Sequence, residues 1–329
     1  MQSDEVFTPE SIRNFANSFQ QSRVLLTAVE LEIFTVLDKR MMHSSEIAKI
    51  INCDERALNR LMNALVSLKF LKKIHGKFYN NEFSARYLVK DKPDYMGNLH
   101  HTNNLWNFWS TLTESVKQGK KVFNGIDSME NWQENFIEAM HYRAGKEAKI
   151  ISLMLDLSNV TKMLDIGGGS GAFTYEFLLT SEKMRGVIFD LPEIIPITQK
   201  YSLQYNLVDR VDFIKGNYLT DSFGSGYDLI LLSAIVHINS YEQNNMLIGK
   251  CAESLSSGGQ IIIRDFLMND DRTDPPGGAL FSLNMLVGTE CGDTYTENEM
   301  AEWFKNSGIE KVIKKETSFG SNLLIGIKN

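Results

Sequence analysis

The chain has 329 residues, of which 43% are hydrophobic and 23% charged, and its formal net charge is −7. This composition is ordinary for a globular protein with a large core and predicts about two domains. The net charge offers no general attraction to nucleic acid or to anionic membranes. The N-terminal segment is polar, no apolar run is long enough to span a membrane, and the three cysteines are far apart. We therefore expect a cytoplasmic protein with reduced cysteines and no membrane partner.

The N-terminal part of the chain has the pattern of a winged helix, and we place this domain at residues 1–92. Apolar residues recur at helical spacing between residues 9 and 38, which predicts one or two helices. Asp54 is a candidate N-cap for a further helix. Gly76 separates two short aromatic runs that are typical of a hairpin. Helix, turn, helix and hairpin together form a winged helix.

A winged helix often binds DNA, so a transcription regulator is an alternative function. Asp54 and Glu55 stand at the N-terminal end of the helix that Asp54 would cap, which is the second helix of the winged-helix motif. This end usually enters the major groove, and two acids there disfavour phosphate contact. Lys72 and Lys73 in the hairpin are the best case for DNA, although a solvated wing is the favoured explanation for them. We expect no nucleic-acid partner.

Residues 93–158 form a helical, aromatic-rich linking region. Aromatic residues at helical spacing more often indicate a core than a pocket. Three histidines in this region (His100, His101 and His141) have no metal-ligand spacing, and surface or capping roles are expected for them.

The segment from Met163 to Phe177 combines a buried strand, a glycine-rich turn and a helix. Gly167, Gly169 and Gly171 allow backbone amides to approach a ligand beside a helix N-terminus, and Asp165 adds a carboxylate. NAD and FAD sites and plain tight turns use the same device, so the turn alone leaves the ligand open.

A second apolar run ends in Asp190, roughly twenty residues after the glycines, where a Rossmann-like fold places an acid that accepts hydrogen bonds from ribose. A helix-capping role before Leu191 is the alternative. Further runs at residues 211–214 and 227–232 alternate with helical patterns. This order predicts a parallel sheet with its ligand at the C-terminal ends of the strands.

The order of the segments DIGGGSG, FDLPEI, GNYLTD, YDLILLSAIVH and LSSGGQIIIRDF resembles that of class I S-adenosylmethionine-dependent methyltransferases. Within them the chain resembles the small-molecule O-methyltransferases typified by caffeate, acetylserotonin and hydroxyneurosporene methyltransferases, from about Phe15 to Ile327. The resemblance implies an α/β fold, with a Rossmann-like catalytic sheet flanked by helices at residues 159–329. It implies a mainly α-helical winged-helix domain that serves dimerisation, and hence a homodimer. It also implies S-adenosylmethionine as cofactor, with S-adenosylhomocysteine as product.

The resemblance further implies which residues hold the cofactor. The glycines and Asp165 would approach its methionine part, and Asp190 with Leu191 its ribose. Asn217 and Tyr218 would lie at the adenine, where relatives usually have Asp followed by an aromatic residue. Ser233 would lie near the sulfonium, at a position where plant relatives have Lys. No metal is expected.

His237 matches the position of the general base in this family, and an imidazole titrates close enough to neutral pH to take a phenolic proton. A structural histidine is the alternative. Asp265 is the best match for the carboxylate that orients the base, and Asp293 is a second candidate. Arg264 stands where relatives have an apolar residue.

We predict transfer of a methyl group to a hydroxyl of an aromatic or polyketide-like small molecule. Methylation at sulfur, nitrogen or carbon, or a non-methylating reaction with the same cofactor, is the first alternative. A regulator that senses S-adenosylmethionine is the second. The acceptor-site residues implied by the resemblance are Trp106, Trp109, Phe136, Met140, Asn284 and Met285.

Overall fold

The computed structural model describes residues 7–125 and 132–329, and the chain divides into two compact units, Met1–Asn104 and Leu105–Asn329. No helix among these described residues is long and apolar enough to cross a membrane. Each unit has its own buried core.

The first unit contains short helices and one hairpin. Its elements are α1 (Pro9–Asn17), α2 (Phe19–Glu30), α3 (Ile33–Val36), α4 (Ser44–Ile50), α5 (Glu55–Ser67), β1 (Leu71–Ile74), β2 (Lys77–Asn80) and α6 (Glu82–Tyr87). The predicted hairpin is confirmed, and the Asp54 carboxylate caps α5 by accepting from the Ala57 amide at 2.8 Å. Three helical segments stand before residue 38, where one or two were expected, and the break between α2 and α3 lies where the backbone turns left-handed at Glu32 (φ 50°).

The second unit is built around a seven-stranded sheet. Helix α7 (Asn98–Trp109) crosses from the first unit into the second. The elements that follow are α8 (Leu112–Gln118), α9 (Trp132–Met154), β3 (Lys162–Ile166), α10 (Ala172–Leu179), β4 (Arg185–Asp190), α11 (Ile195–Gln204), β5 (Val211–Lys215), β6 (Tyr227–Ser233), α12 (Tyr241–Ser254), β7 (Leu255–Asp265), β8 (Leu267–Met268), α13 (Pro276–Gly288), β9 (Tyr295–Thr296), α14 (Glu297–Asn306), β10 (Lys311–Glu316) and β11 (Asn322–Ile327).

The strand order in the sheet is β10-β11-β7-β6-β3-β4-β5, in which β3 to β7 are parallel and β10 and β11 are antiparallel. This confirms the predicted α/β class. Helices cover both faces, so the central strands carry nearly continuous apolar runs, and residues 229–232 of β6 are fully buried.

Strand β7 begins at Leu255 and runs through Gly258 and Gly259, because the Gly258 amide donates to the Lys328 carbonyl and the Lys328 amide donates to the Gly259 carbonyl. Helices α13 and α14 are separated by the short strand β9, which pairs with β8.

Candidate active site

The candidate site lies where the strand order of the sheet reverses. Strand β3 has β4 on one side and β6 on the other, so the connections after β3 leave in opposite directions. Such a reversal opens a crevice beyond the C-terminal ends of the strands. The glycine-rich turn follows β3, Asp190 ends β4 and Ser233 ends β6.

The Asp190 carboxylate braces the glycine-rich turn. It accepts a hydrogen bond from the Gly169 amide at 2.8 Å and another from the Leu191 amide at 2.7 Å. Asp190 is buried, which raises its pKa, while these two backbone donors lower it. This hydrogen bond between the Asp190 side chain and the turn could not be read from the sequence, where Asp190 was considered only as a ribose ligand or a helix cap.

Asp165 lies buried below the turn. Its carboxylate accepts a hydrogen bond from the Thr174 hydroxyl at 2.7 Å. Burial raises the pKa of Asp165 to about 7, and the neighbouring Asp190 adds to the rise while the Thr174 hydrogen bond opposes it. This carboxyl group therefore changes its charge close to neutral pH.

The glycines of the turn face different surroundings. A Cβ atom built on Gly169 would meet only the end of the Ile137 side chain, at 3.5 Å, which is an ordinary contact. A Cβ atom on Gly171 would lie 2.6 Å from the Tyr175 ring and 2.8 Å from Ile188. Gly169 therefore borders space that another molecule can occupy, whereas Gly171 is required by the packing of the protein itself.

Asn217 and Tyr218 follow β5. The Asn217 side-chain oxygen accepts from the Leu219 amide at 2.9 Å, and its residue is exposed, so the NH₂ group is available as a donor. Tyr218 is partly buried, and its hydroxyl donates to the Asn239 side-chain oxygen at 3.0 Å.

Arg264 lies beside Ser233 at the ends of β7 and β6. The guanidinium donates to the Ser233 hydroxyl at 3.3 Å and forms a buried ion pair with Glu147 of α9. Its Cζ atom also lies 5.1 Å from the centre of the Phe173 ring. The cation that the sequence left unexplained is thus neutralised by a carboxylate that no local pattern connected with it.

His237 and Asp265 form a direct pair. The Nδ1 atom of His237 lies 2.8 Å and 2.9 Å from the two carboxylate oxygens of Asp265, and both side chains are largely buried. With its proton on Nδ1, the neutral imidazole keeps an acceptor at Nε2. Asp293, the other candidate orienter, instead pairs with Arg272 at 3.1 Å.

Two phenylalanine rings lie on one side of this pair. The Phe281 ring lies edge-on to His237 with 4.8 Å between ring centres, and Phe266 packs against Phe281 at 4.5 Å. Neither phenylalanine was selected from the sequence, although Phe281 lies three residues before Asn284 on one face of α13. The Trp109 indole N–H donates to the Asn284 side-chain oxygen at 2.9 Å, which brings two predicted acceptor-site residues together.

The other predicted acceptor-site residues are on α7, α9 and α13. Trp106, Phe136 and Met140 are partly buried, and Met285 is buried. The surface or capping role expected for His141 is wrong. Its ring lies 2.9 Å from the Ser170 hydroxyl and stacks on Tyr201 at 4.2 Å, and burial lowers its pKa.

Comparison with known proteins now gives the family. Residues 109–310 match the model of the O-methyltransferase domain, and residues 14–91 match that of the O-methyltransferase dimerisation domain. The chain belongs to the O-methyltransferase family. It is an enzyme that uses S-adenosylmethionine.

Relatives of known activity match almost end to end. The 3-hydroxy-5-methyl-1-naphthoate 3-O-methyltransferase of Streptomyces sahachiroi is 27% identical over 97% of this chain and 95% of its own. The acetylserotonin O-methyltransferase of Gallus gallus is 29% identical over 97% of both chains.

Solved structures agree with the fold. An O-methyltransferase family protein from Burkholderia thailandensis superposes with a TM-score of 0.89 at 25% identity, over 98% of both chains. Human N-acetylserotonin methyltransferase in complex with S-adenosylmethionine has a TM-score of 0.86 at 24% identity, over 100% of this chain and 99% of its own.

Proposed function

We propose that this O-methyltransferase methylates a hydroxyl group of an aromatic or polyketide-like small molecule, with His237 as the general base. The observation that carries the proposal is the His237–Asp265 pair. Two carboxylate oxygens within 2.9 Å of Nδ1 favour the tautomer whose Nε2 accepts a proton. They also stabilise the imidazolium that forms when the acceptor hydroxyl loses its proton.

Asp265 is the orienting residue in this proposal. It also accepts from the Phe266 amide at 2.8 Å, so its own position is fixed by the backbone. Phe281 packs edge-on against the imidazole and limits the access of water. A base held in this way can face a bound hydroxyl without the cost of ordering its side chain.

The residues at the strand ends fit S-adenosylmethionine, because the turn offers open space at Gly169 beside a braced carboxylate. When bound, this cofactor supplies a methyl group on a positively charged sulfur. Gly167, Gly169, Gly171 and Asp165 would hold its methionine part, Asp190 and Leu191 its ribose, Asn217 and Tyr218 its adenine, and Ser233 its sulfonium end. The Asn217 side-chain NH₂ group would act as a hydrogen-bond donor there.

The acceptor would lie against the aromatic side chains of the same unit. The hydrogen bond between Trp109 and Asn284 and the position of Phe281 beside His237 support this arrangement. The proposed acceptor-site residues remain Trp106, Trp109, Phe136, Met140, Asn284 and Met285. The proposed division is a winged-helix domain at 1–92, a linking region at 93–158 and a catalytic domain at 159–329.

A homodimer formed through the N-terminal unit is part of the proposal. Helix α1 buries none of its residues, and it leaves Ile12 and Phe15 exposed by 56% and 78%. A second copy of the chain would cover this apolar face. The match to a dimerisation model explains the winged helix without DNA, so we propose no nucleic-acid partner. The location that we propose for the enzyme is the cytoplasm.

The test uses His237→Ala, with His75→Asn in the exposed hairpin of the first unit as the matched control. Methyl transfer to 3-hydroxy-5-methyl-1-naphthoate, N-acetylserotonin and related phenols is followed by mass spectrometry. If His237 is the base, turnover falls by about 10²–10⁴-fold while calorimetric affinity for S-adenosylhomocysteine is retained. The control should keep the wild-type rate.

Unchanged turnover in His237→Ala would remove His237 from this role. Methyl transfer to a thiol or an amine in preference to every phenol tested would overturn the proposed acceptor class.

A further inference from the structure

A chain of buried hydrogen bonds runs from Tyr218 to the turn that carries His237. The Tyr218 hydroxyl donates to the Asn239 side-chain oxygen at 3.0 Å, and the Asn239 NH₂ group donates to the Asn244 side-chain oxygen at 3.0 Å. The Asn244 NH₂ group then donates to the Val236 carbonyl at 2.8 Å. These bonds connect the segment after β5 with the start of α12 and the end of β6.

The two asparagines are held in one arrangement. Asn239 is 3% exposed and Asn244 is fully buried. The backbone carbonyl of Asn239 also accepts from the Tyr295 hydroxyl at 2.6 Å. A buried amide that loses its partner pays the full cost of desolvation, so a shift of one member of this chain disturbs the next.

The chain of hydrogen bonds holds both ends of the backbone turn that carries the candidate base. A 3-10 turn spans Val236–Ile238, so Val236 is its first residue, Asn239 directly follows it, and His237 lies between the two. The carbonyl of His237 itself accepts from the Asp293 amide at 3.0 Å. The backbone that aims the imidazole at Asp265 is therefore fixed partly by side chains that touch neither residue.

We propose that Asn239 and Asn244 are positioning residues that couple the adenine end of the cofactor site, at Tyr218, to the orientation of His237. This inference rests on the proposed roles of Tyr218 and His237. A coupling between two sites is reciprocal, so a shift of the backbone turn that carries His237 must be felt at Tyr218, and a change at Tyr218 must be felt in the turn. His237→Ala removes the imidazole but none of these hydrogen bonds. A network that only stabilised the fold would lower stability without this exchange of effects.

The experiment is a double-mutant cycle of Tyr218→Phe and Asn244→Ser. The matched control is Tyr227→Phe, because Tyr227 is also a buried tyrosine, and its hydroxyl donates to the Phe223 carbonyl at 2.6 Å away from this chain of bonds. For each protein, kcat and its pH profile are measured at saturating S-adenosylmethionine. The affinity for S-adenosylhomocysteine is measured by calorimetry, which needs no turnover.

We expect Tyr218→Phe to lower kcat by about tenfold and to move its pH profile, even when the cofactor saturates the enzyme. Asn244→Ser should weaken the affinity for S-adenosylhomocysteine by several-fold, although Asn244 hydrogen-bonds to Asn239 and Val236 and not to a proposed cofactor residue. The double variant should be no worse than the poorer single variant, because both changes break the same connection.

Three results would overturn the coupling. These are a Tyr218→Phe enzyme altered only in KM for the cofactor, an Asn244→Ser enzyme with wild-type affinity, or a double variant whose losses multiply. If Asn244→Ser does not fold, Asn239→Ser breaks the same chain at its middle and has the same expected results. Turnover retained in His237→Ala would instead refute the base, and the calorimetric cycle would still decide the coupling.

Discussion

Replacing single glycines of the turn by alanine separates cofactor space from protein packing. Gly169 and Gly171 both have positive φ, 57° and 80°, so alanine is strained at either position by about 1–2 kcal/mol. Part of this strain is offset because alanine restricts the unfolded chain, by about 0.4–1 kcal/mol. The difference between the two variants must therefore come from what the new methyl group meets.

At Gly171 the methyl group meets the Tyr175 ring at 2.6 Å. This ring cannot move freely, because it is fully buried and its hydroxyl donates to the Thr198 carbonyl at 3.0 Å. Overpacking of this kind costs about 1–3 kcal/mol, which brings the expected loss for Gly171→Ala to roughly 2–4 kcal/mol. In a unit of this size the midpoint of thermal unfolding should fall by roughly 5–15 °C.

At Gly169 the methyl group meets only Ile137 at 3.5 Å, so Gly169→Ala should lose no more than about 1.6 kcal/mol. The same methyl group enters the space proposed for the cofactor, and we expect the affinity for S-adenosylhomocysteine to fall by at least about tenfold. Circular dichroism gives the unfolding midpoints and calorimetry the affinities. The reasoning is refuted if Gly169→Ala is as unstable as Gly171→Ala, or if it binds the ligand like the wild type.

Two further predictions concern buried charges. The pKa of Asp165 in the folded protein, about 7, lies above its ordinary value, so its contribution to stability is complete at acid pH and is lost as the pH rises through about 7. Between about pH 5 and pH 8 the free energy of unfolding of the wild type should therefore fall by up to about 3 kcal/mol more than that of Asp165→Asn, as measured by denaturant unfolding. Parallel plots of unfolding free energy against pH for the two proteins would contradict this. Glu147→Leu should cost about 3–5 kcal/mol because it leaves the buried Arg264 guanidinium without this counter-charge, and adding Arg264→Met should recover most of the loss. Urea unfolding measures the stability of the single and the double variant. A loss of less than about 1 kcal/mol in Glu147→Leu would show that Glu147 is not the main partner of Arg264.

Much of the fold could be predicted because its signals are local. The buried strands 162–166 and 227–233, the turn between β3 and α10 and the hairpin of the first unit are contiguous patterns of apolar residues and glycines. Alternation of strands and helices then limits the sheet to a parallel arrangement. Local patterns were less reliable at the boundaries of elements. Strand β7 begins as early as Leu255 because backbone partners extend it, and α3 is separated from α2 because the backbone of Glu32 is left-handed.

The candidate site was only partly visible. His237 and Asp265 were both selected, and the family resemblance implied that Asp265 orients His237. Local residue patterns could not pair them, because they are 28 residues apart and meet only when β6 and β7 pair. Asp293 remained a second candidate until its ion pair with Arg272 was known. Phe266 and Phe281 carried no special signal, since buried aromatic residues serve cores and pockets alike.

By itself, the sequence determined which segments are strands, where the chain must turn at glycine, and which acidic and imidazole groups follow the strands. These properties depend on neighbours within a few residues, and short-range backbone and side-chain preferences record them. Only the tertiary structure decided that Glu147 neutralises Arg264, that Tyr218 reaches Asn239, and that Gly171 is packed while Gly169 is open. Each of these facts depends on side chains that are distant in the chain and are brought within a few ångströms by close packing, which no local pattern encodes.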